Sequence, residues 1–222
     1  MLIDISIPLG AETVPWPGDT PFSCGWSGRI ERGDSVNLTA LTFSPHVGTH
    51  ADAPLHVHSG WPASETLTVS AFVGPAVVLT VPTDYPIDTD LRIETLQAML
   101  AAVPDATAIP GATSRILLRT GQSIAGGHFP TDWPTLAVET ARWLVDQGLQ
   151  LWGTDAPSAD RRTSTALPVH HALLGGGANL LENLALTAIV PGVYDLIAPP
   201  LLVVGADAAP VRALLRERRP PV

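Results

Sequence analysis

The sequence predicts a single α/β domain spanning residues 1–222. Of its 222 residues, 45% are hydrophobic and 15% are charged, which provides enough apolar side chains for one core and excludes a disordered chain. Short apolar runs typical of strands alternate along the chain with longer stretches of helical periodicity. The 22 prolines and 19 glycines are spread throughout, so no change in composition marks a linker between two domains.

The elements follow from local patterns. Alternation or compact apolar runs predict strands at 2–7, 36–43, 77–81, 115–119, 149–153, 193–198 and 201–205. Helical periodicity predicts helices at 92–103, 136–147 and 166–174. The second of these is predicted to end at Gly148, because glycine favours the left-handed conformation that follows a helix. We expect the last segment, 208–219, to form one or two helical turns.

Composition also excludes several classes of function. Twelve basic and 21 acidic residues give a net charge of −9, the wrong sign for binding a phosphate backbone, so we expect no nucleic-acid partner. Every basic residue is arginine, and the absence of lysine excludes Schiff-base chemistry, pyridoxal phosphate enzymes and the P-loop lysine. The single cysteine, Cys24, excludes an intrachain disulfide and a thiolate zinc site.

Two further features bear on location. No apolar run approaches the ~20 residues needed to cross a bilayer, so we expect no membrane partner. Asp4 lies where a signal peptide would have basic residues. Together with the absence of disulfides, this favours a cytoplasmic location.

Four of the seven histidines lie between residues 46 and 58. His46, His50, Asp52 and His56 are separated by even numbers of residues, so in an extended chain their side chains would all point to one face. Pro45, Gly48 and Pro54 disfavour a helix here. Three imidazoles and a carboxylate on one face are typical of a catalytic zinc or manganese site. A polar surface or a pH-sensitive patch is the alternative. We expect His58 to be exposed.

A second group of chemically useful side chains lies far along the chain. His170 and His171 fall on the predicted helix at 166–174, about 100° apart, so at most one of them is expected to share a site. Glu182 lies between leucines on a further predicted strand, where a carboxylate is either paired, bound to a cation or partly exposed. Asp155, at the end of a predicted strand, is either an active-site residue or the cap of the next turn.

These motifs resemble a known family. HVGTHADAPLH at 46–56 is similar to the H-x-G-T-H-x-D-x-P-x-H signature of the metal-dependent cyclase-like hydrolases. DISIPL at the start of the chain and VPWPGDTPF at 14–22 resemble the bacterial kynurenine formamidases in particular. GTDAPSAD, LLENL, YDLIAPPL and DAAPVRALL continue the resemblance in the same order, so it covers essentially the whole chain.

The resemblance implies a compact α/β fold with a mixed, barrel-like sheet and flanking helices. It implies two divalent metal ions, zinc or manganese, with His46, His50 and Asp52 on one ion and Asp52, His170 and Glu182 on the other. His56 would be the general acid and base, and Trp16 would line the aryl pocket. The implied reaction is hydrolysis of N-formyl-L-kynurenine in tryptophan catabolism, by a homodimer or larger homo-oligomer.

Three alternatives stay open at this point. The chain could be a related hydrolase that acts on a cyclic amide such as isatin. It could be a non-catalytic metal-binding protein, whose ion would be coordinatively saturated, whereas a hydrolase leaves room for water. It could also be an interaction or regulatory domain in which the clustered histidines bind no metal.

Overall fold

The computed structural model describes residues 1–218, which form one α/β domain around a mixed sheet. The helices are α1 (Ile93–Ala101), α2 (Val138–Asp146) and α3 (Pro168–Gly175). The strands are β1 (Leu2–Asp4), β2 (Ser23–Gly28), β3 (Leu38–Thr42), β4 (His50–Asp52), β5 (Val73–Thr80), β6 (Arg115–Arg119), β7 (Leu151–Thr154), β8 (Asn179–Glu182), β9 (Gly192–Ile197), β10 (Ala208–Pro210) and β11 (Leu214–Glu217).

Nine of these strands form one sheet in the order β1-β11-β9-β5-β6-β7-β8-β4-β10. The four central strands β5 to β8 are parallel, and the flanking pairs are antiparallel. Beyond β1, Ser6 forms a single antiparallel bridge with Leu184, which follows β8. This bridge joins the two halves of the sheet, so the sheet curls as the barrel-like expectation requires.

Side chains of the central strands alternate between two buried clusters. In β5, Val77 and Leu79 pack in the cluster that also contains residues of the three helices, whereas Ala76 and Val78 pack in the cluster on the opposite face. Burial on both faces is the usual situation of parallel strands, and it explains why their sequences are continuous apolar runs. A rigid, fully buried centre therefore supports the strands β8 and β4 at its margin.

The predicted helices and most predicted strands are confirmed to within a few residues. Helix α2 ends next to Gly148, whose φ is +84°, as the predicted left-handed position requires. The predicted strand at 36–43 is β3, but it pairs only with β2, which the sequence did not indicate, in an exposed hairpin.

Two predictions near the carboxyl end are wrong. The predicted strand at 201–205 is a non-repetitive segment with a turn. The helical turns expected at 208–219 are instead β10 and β11 over residues 208–217, and Arg219 lies outside the described residues. Both strands are set by pairing, β10 with the distant β4, and β11 with the distant β1 on one side and the nearby β9 on the other, which local periodicity does not report. None of the helices within residues 1–218 is long and apolar enough to cross a bilayer.

Candidate active site

The histidine-rich segment is not one extended strand, contrary to the expectation from its even spacing. Only His50–Asp52 is a strand, and Pro54–His56 forms a 3-10 turn that begins at its proline. Before the strand, Gly48 has a φ of +72°, and a Cβ at this position would lie 2.8 Å from a leucine side chain. Because of this turn the ring of His46 lies beside that of His50, with 4.8 Å between ring centroids.

The first three candidate ligands converge on one point. His46 Nδ1 lies 3.1 Å from His50 Nε2, and Asp52 Oδ1 lies 3.2 Å from each of these nitrogens. Donor atoms around one tetrahedral zinc ion, with bonds of 2.0–2.1 Å, are separated by about 3.3 Å. The triangle of donor atoms therefore has the dimensions of one face of a metal coordination sphere.

A second group of donors meets the other oxygen of Asp52. In the antiparallel pairing of β4 with β8, His50 lies directly opposite Glu182, which places Glu182 next to the first group. From α3, His170 Nε2 approaches Asp52 Oδ2 at 3.3 Å and Glu182 Oε1 at 3.4 Å. Asp52 thus lies between two sets of ligands and presents one oxygen to each.

Each of the three clustered imidazoles is held through its other ring nitrogen. The acceptors are Gly48 O for His50 Nδ1 at 2.9 Å, Asp160 Oδ2 for His170 Nδ1 at 2.7 Å, and Asp207 Oδ2 for His46 Nε2 at 3.0 Å. A neutral imidazole has one N–H, so donation outward leaves the nitrogen that faces the cluster with a lone pair. Outer acceptors of this kind orient histidine ligands in metal sites.

These atoms fit a metal centre. Both oxygens of the fully buried Asp52 lack a hydrogen-bonding partner of good geometry, and the nearest groups are the lone pairs just described. Electron-rich atoms 3.1–3.4 Å apart repel one another unless a cation lies between them. Burial opposes protonation of His46, but the neighbouring carboxylates of Asp207 and Asp52 raise the pKa of its imidazole to about 10. The surroundings of His46 therefore favour a positive charge, as a cation site requires.

The pKa values of Asp52 and His170 are also shifted by their neighbours in the cluster. Burial alone would raise the pKa of Asp52, but the histidines around it, His170 first, hold that pKa well below its usual range. Likewise, burial is outweighed at His170, whose pKa is raised by Asp160, Asp52 and Glu182. All the donors are imidazole or carboxylate, the set that suits zinc or manganese.

His56 lies at the edge of this cluster and faces the cavity. Its Nδ1 is 3.3 Å from Asp207 Oδ2, and its ring centroid is 4.3 Å from that of His46. The ring is close enough to His46 and Asp52 for ligand atoms of all three to lie within 4.8 Å of one another. Its side chain is 28% exposed, which gives it access to a molecule in the cavity.

The cavity above the cluster has a volume of about 300 Å³. Trp16 and Phe129 form part of its wall, with ring centroids 5.2 Å apart in an edge-to-face arrangement. Both rings pack edge to face on Trp133, which is fully buried and donates from Nε1 to the backbone oxygen of Asp160. The aromatic wall is thus attached to the same loop that orients His170.

Other residues considered from the sequence lie elsewhere. His171 and His58 are exposed, and His171 projects away from His170 toward Trp61. Asp155 is fully buried but caps a turn, because its carboxylate accepts hydrogen bonds from the backbone and hydroxyl of Thr120 and from Gly121. Asp155 is therefore a cap, but of a turn 34 to 35 residues earlier in the chain and not of the next turn, as the sequence had suggested.

Sequence reasoning missed three residues of the site. Asp160 and Asp207 lie within motifs that carry the family resemblance, yet their spacing from the histidines gave no sign that they would meet them. Asp160 gave no capping signal in the sequence, because it lies eight residues before α3 and not at the N-cap position, which Leu167 occupies. Phe129 follows His128 in a loop, and no pattern in the sequence pointed to it.

Comparisons with known proteins agree with this architecture. The model of the Cyclase family matches residues 3–161. The kynurenine formamidase of Salinibacter ruber is 42% identical over 99% of both chains. A solved potential metal-dependent hydrolase with cyclase activity superposes with a TM-score of 0.77 at 25% identity, over 99% of both chains.

An isatin hydrolase A from Labrenzia aggregata has a TM-score of 0.78 at 22% identity, over 97% of this chain and 93% of its own, and thus shares the fold. The identity to the Salinibacter protein is much higher, and the match covers 99% of this chain. The chain therefore belongs to the Cyclase family and, within it, to the kynurenine formamidases.

Proposed function

We propose that this chain hydrolyses N-formyl-L-kynurenine to L-kynurenine and formate, a step of tryptophan catabolism. The observation that carries the proposal is the position of Asp52, whose two oxygens face two ligand sets at the base of an aromatic-walled cavity. Full-length similarity to a kynurenine formamidase selects this substrate over a cyclic amide. A small apolar cavity with a few convergent polar groups is typical of a small-molecule site.

His46, His50 and Asp52 would hold one divalent ion, and Asp52, His170 and Glu182 would hold a second. We propose zinc as the ion, with manganese as the alternative; imidazole and carboxylate donors suit both. When bound, the ions would lower the pKa of water and polarise the formyl oxygen. The orientation of the ligand nitrogens is already fixed by Gly48, Asp160 and Asp207, so little rearrangement is needed for binding.

The protein's own residues supply positioning and proton transfer. Trp16 and Phe129 would hold the aromatic ring of the substrate and keep water from that side of the cavity. An anilide nitrogen must gain a proton to leave as an amine. His56 faces the cavity with Nε2, since Nδ1 is bound to Asp207, and would take a proton from the attacking water and deliver it to that nitrogen.

The first test combines metal analysis with an absorbance assay of N-formyl-L-kynurenine hydrolysis. We expect about two metal ions per chain, turnover that is lost with a chelator, and recovery on addition of zinc. Turnover of isatin but not of the formamide would refute the proposed substrate. Metal-independent turnover would refute the mechanism.

The role of His56 is tested by His56→Ala. We expect kcat to fall by roughly 10²- to 10⁴-fold, the usual contribution of general acid–base catalysis, with metal content unchanged. Loss of one metal ion per chain in this variant would show that His56 is a ligand, a role its distance from His46 and Asp52 also allows.

The protein is also proposed to be a homodimer or larger homo-oligomer, with a small-molecule substrate as its other partner. The β2–β3 hairpin exposes Trp26, Leu38 and Leu41 to between 49% and 56%, and clustered apolar exposure marks association surfaces. Light scattering coupled to size exclusion measures the mass directly. A monomer at micromolar concentration would contradict this part of the proposal.

A further inference from the structure

Asp207 is hydrogen-bonded both to His46, a proposed metal ligand, and to His56, the proposed general acid and base. A single oxygen, Oδ2, accepts hydrogen bonds from His46 Nε2 at 3.0 Å and from His56 Nδ1 at 3.3 Å. The residue directly precedes β10, and its backbone oxygen accepts from the N–H of Ala53 at 2.9 Å. Because β10 pairs with β4, this carboxylate is fixed to the strand that carries His50 and Asp52.

The two hydrogen bonds choose opposite tautomers in the two rings. In the neutral form that can bind a metal ion, His46 donates from Nε2, so its Nδ1 is left with the lone pair that faces His50 and Asp52. His56 donates from Nδ1, so Nε2 is left to exchange protons with a molecule in the cavity. Within residues 1–218, Asp207 is the only hydrogen-bonding partner of the His56 ring, so nothing else selects its tautomer.

From this geometry we infer that Asp207 is a positioning residue that orients His56 for proton transfer and His46 for metal binding. The inference rests on the proposed function, since it assigns to His56 the proton that the leaving nitrogen needs. Two separable effects follow. Loss of the contact to His46 should weaken metal binding. Loss of the contact to His56 should impair hydrolysis most where the leaving group needs a proton, because water activated by a metal ion depends less on a base than an anilide nitrogen depends on an acid.

The test compares formanilide with phenyl formate in Asp207→Ala at saturating zinc. Both substrates carry the same formyl group, but phenoxide departs without prior protonation and an anilide does not. We expect kcat for formanilide to fall by roughly 100-fold, within the usual range for general acid–base catalysis, while kcat for phenyl formate falls by less than about 10-fold. The KM values should stay within about two-fold, because Asp207 does not line the cavity.

Two further variants act as controls. Asp207→Asn retains a carbonyl oxygen that can accept from both rings, so we expect it to recover most of the formanilide activity. Glu65→Gln alters a side chain that accepts from Gly205 N at 2.9 Å in the same loop but touches neither histidine, and it should leave both rates unchanged. Adding Asp207→Ala to His56→Ala should cause no further loss with formanilide at saturating zinc.

Two readouts are independent of activity. Competition with a chromophoric chelator should show zinc affinity about 10- to 100-fold weaker in Asp207→Ala, as for other groups that orient a ligand. Nitrogen-15 NMR of zinc-loaded protein should show the Nδ1–H tautomer of His56 in the wild type and its loss in Asp207→Ala.

Equal loss with both formyl substrates at saturating zinc, or an unchanged His56 tautomer, would overturn the inference. If Asp207→Ala does not fold, the inference is tested by the His56 tautomer in the wild type and by the activity of Asp207→Asn with the two formyl substrates. If the wild type hydrolyses no formyl substrate with zinc present, the proposed function fails, and the tautomer and zinc affinity still decide whether Asp207 orients the two rings.

Discussion

Asp160 contributes both to the stability of α3 and to the orientation of His170, a proposed metal ligand. Its Oδ2 accepts from the backbone N–H and from Nδ1 of His170 at 3.0 and 2.7 Å, and its Oδ1 accepts from Val169 N at 3.0 Å. It therefore caps the first turn of α3 and orients the histidine on that turn with one carboxylate. Replacement by alanine removes all three hydrogen bonds in a buried environment.

The cost of Asp160→Ala is estimated from these contacts. Loss of a helix cap costs about 1 kcal/mol. Loss of the charge-assisted bond to His170, with N–H groups left buried, adds about 2–4 kcal/mol. A total of about 3–5 kcal/mol corresponds to a Tm lower by roughly 6–20 °C in a chain of this size. Zinc affinity should also fall by about 10- to 100-fold, because the His170 ring loses its orientation.

Thermal unfolding and chelator competition measure both effects on the same samples. Asp160→Asn can keep both hydrogen bonds from His170 and lose only that from Val169, so we expect it to be intermediate. Asp155→Ala is the matched control, since this aspartate is equally buried in the same loop but holds only Thr120 and Gly121. Unchanged zinc affinity in Asp160→Ala, or an equal loss in Asp155→Ala, would refute the reasoning.

Two further predictions concern the pocket and the protons. Trp16→Ala should raise KM for N-formyl-L-kynurenine about 10-fold, the equivalent of roughly 1.4 kcal/mol of lost aromatic contact, while Trp16→Phe keeps most of the affinity; steady-state kinetics that show no change in KM would contradict the pocket. In the folded, metal-free protein His46 has a pKa of about 10, above the unfolded value of 6.5. Protonation of His46 therefore adds to the free energy of unfolding, fully below pH 6.5, and this contribution is lost as the pH rises toward 10. Zinc must displace that proton, so its apparent affinity should rise over the same interval; calorimetry in buffers of different ionisation enthalpy should detect proton release, and release of none would refute this account.

The central part of the fold was readable from the sequence because its signals are local. Buried parallel strands such as Arg115–Arg119 are continuous apolar runs, and Gly148 marks the end of α2. The two C-terminal strands were not predicted, because Ala208–Pro210 pairs with a strand more than 100 residues away, and Leu214–Glu217 lies between β9 and the first strand of the chain. Arg- and Ala-containing segments of this kind have no strong preference of their own.

The candidate site divides in the same way. The sequence indicated a site at His46, His50, Asp52 and His56 because four potential ligands occur within eleven residues. The expectation that they share one extended strand was wrong. Asp207 forms hydrogen bonds to two of them across more than 150 residues of sequence, and no pattern in a single chain encodes that distance. The carboxylates that orient the histidine rings, Asp160 and Asp207, are therefore the part of the site that the sequence predicts least well.

The register of β4 has a consequence for how the protein is made. His50–Asp52 pairs on one side with residues 180–182 and on the other with residues 208–210, so the early strand is unpaired until nearly the whole chain exists. Such high contact order slows folding, since long loops must close before any of these contacts forms. During synthesis a nascent chain therefore exposes three histidines and an aspartate without their later partners. Ribosome-bound fragments that end before residue 170 lack both His170 and Glu182, and those that end before residue 182 still lack Glu182, which would make complete metal loading one of the last events in the assembly of the domain.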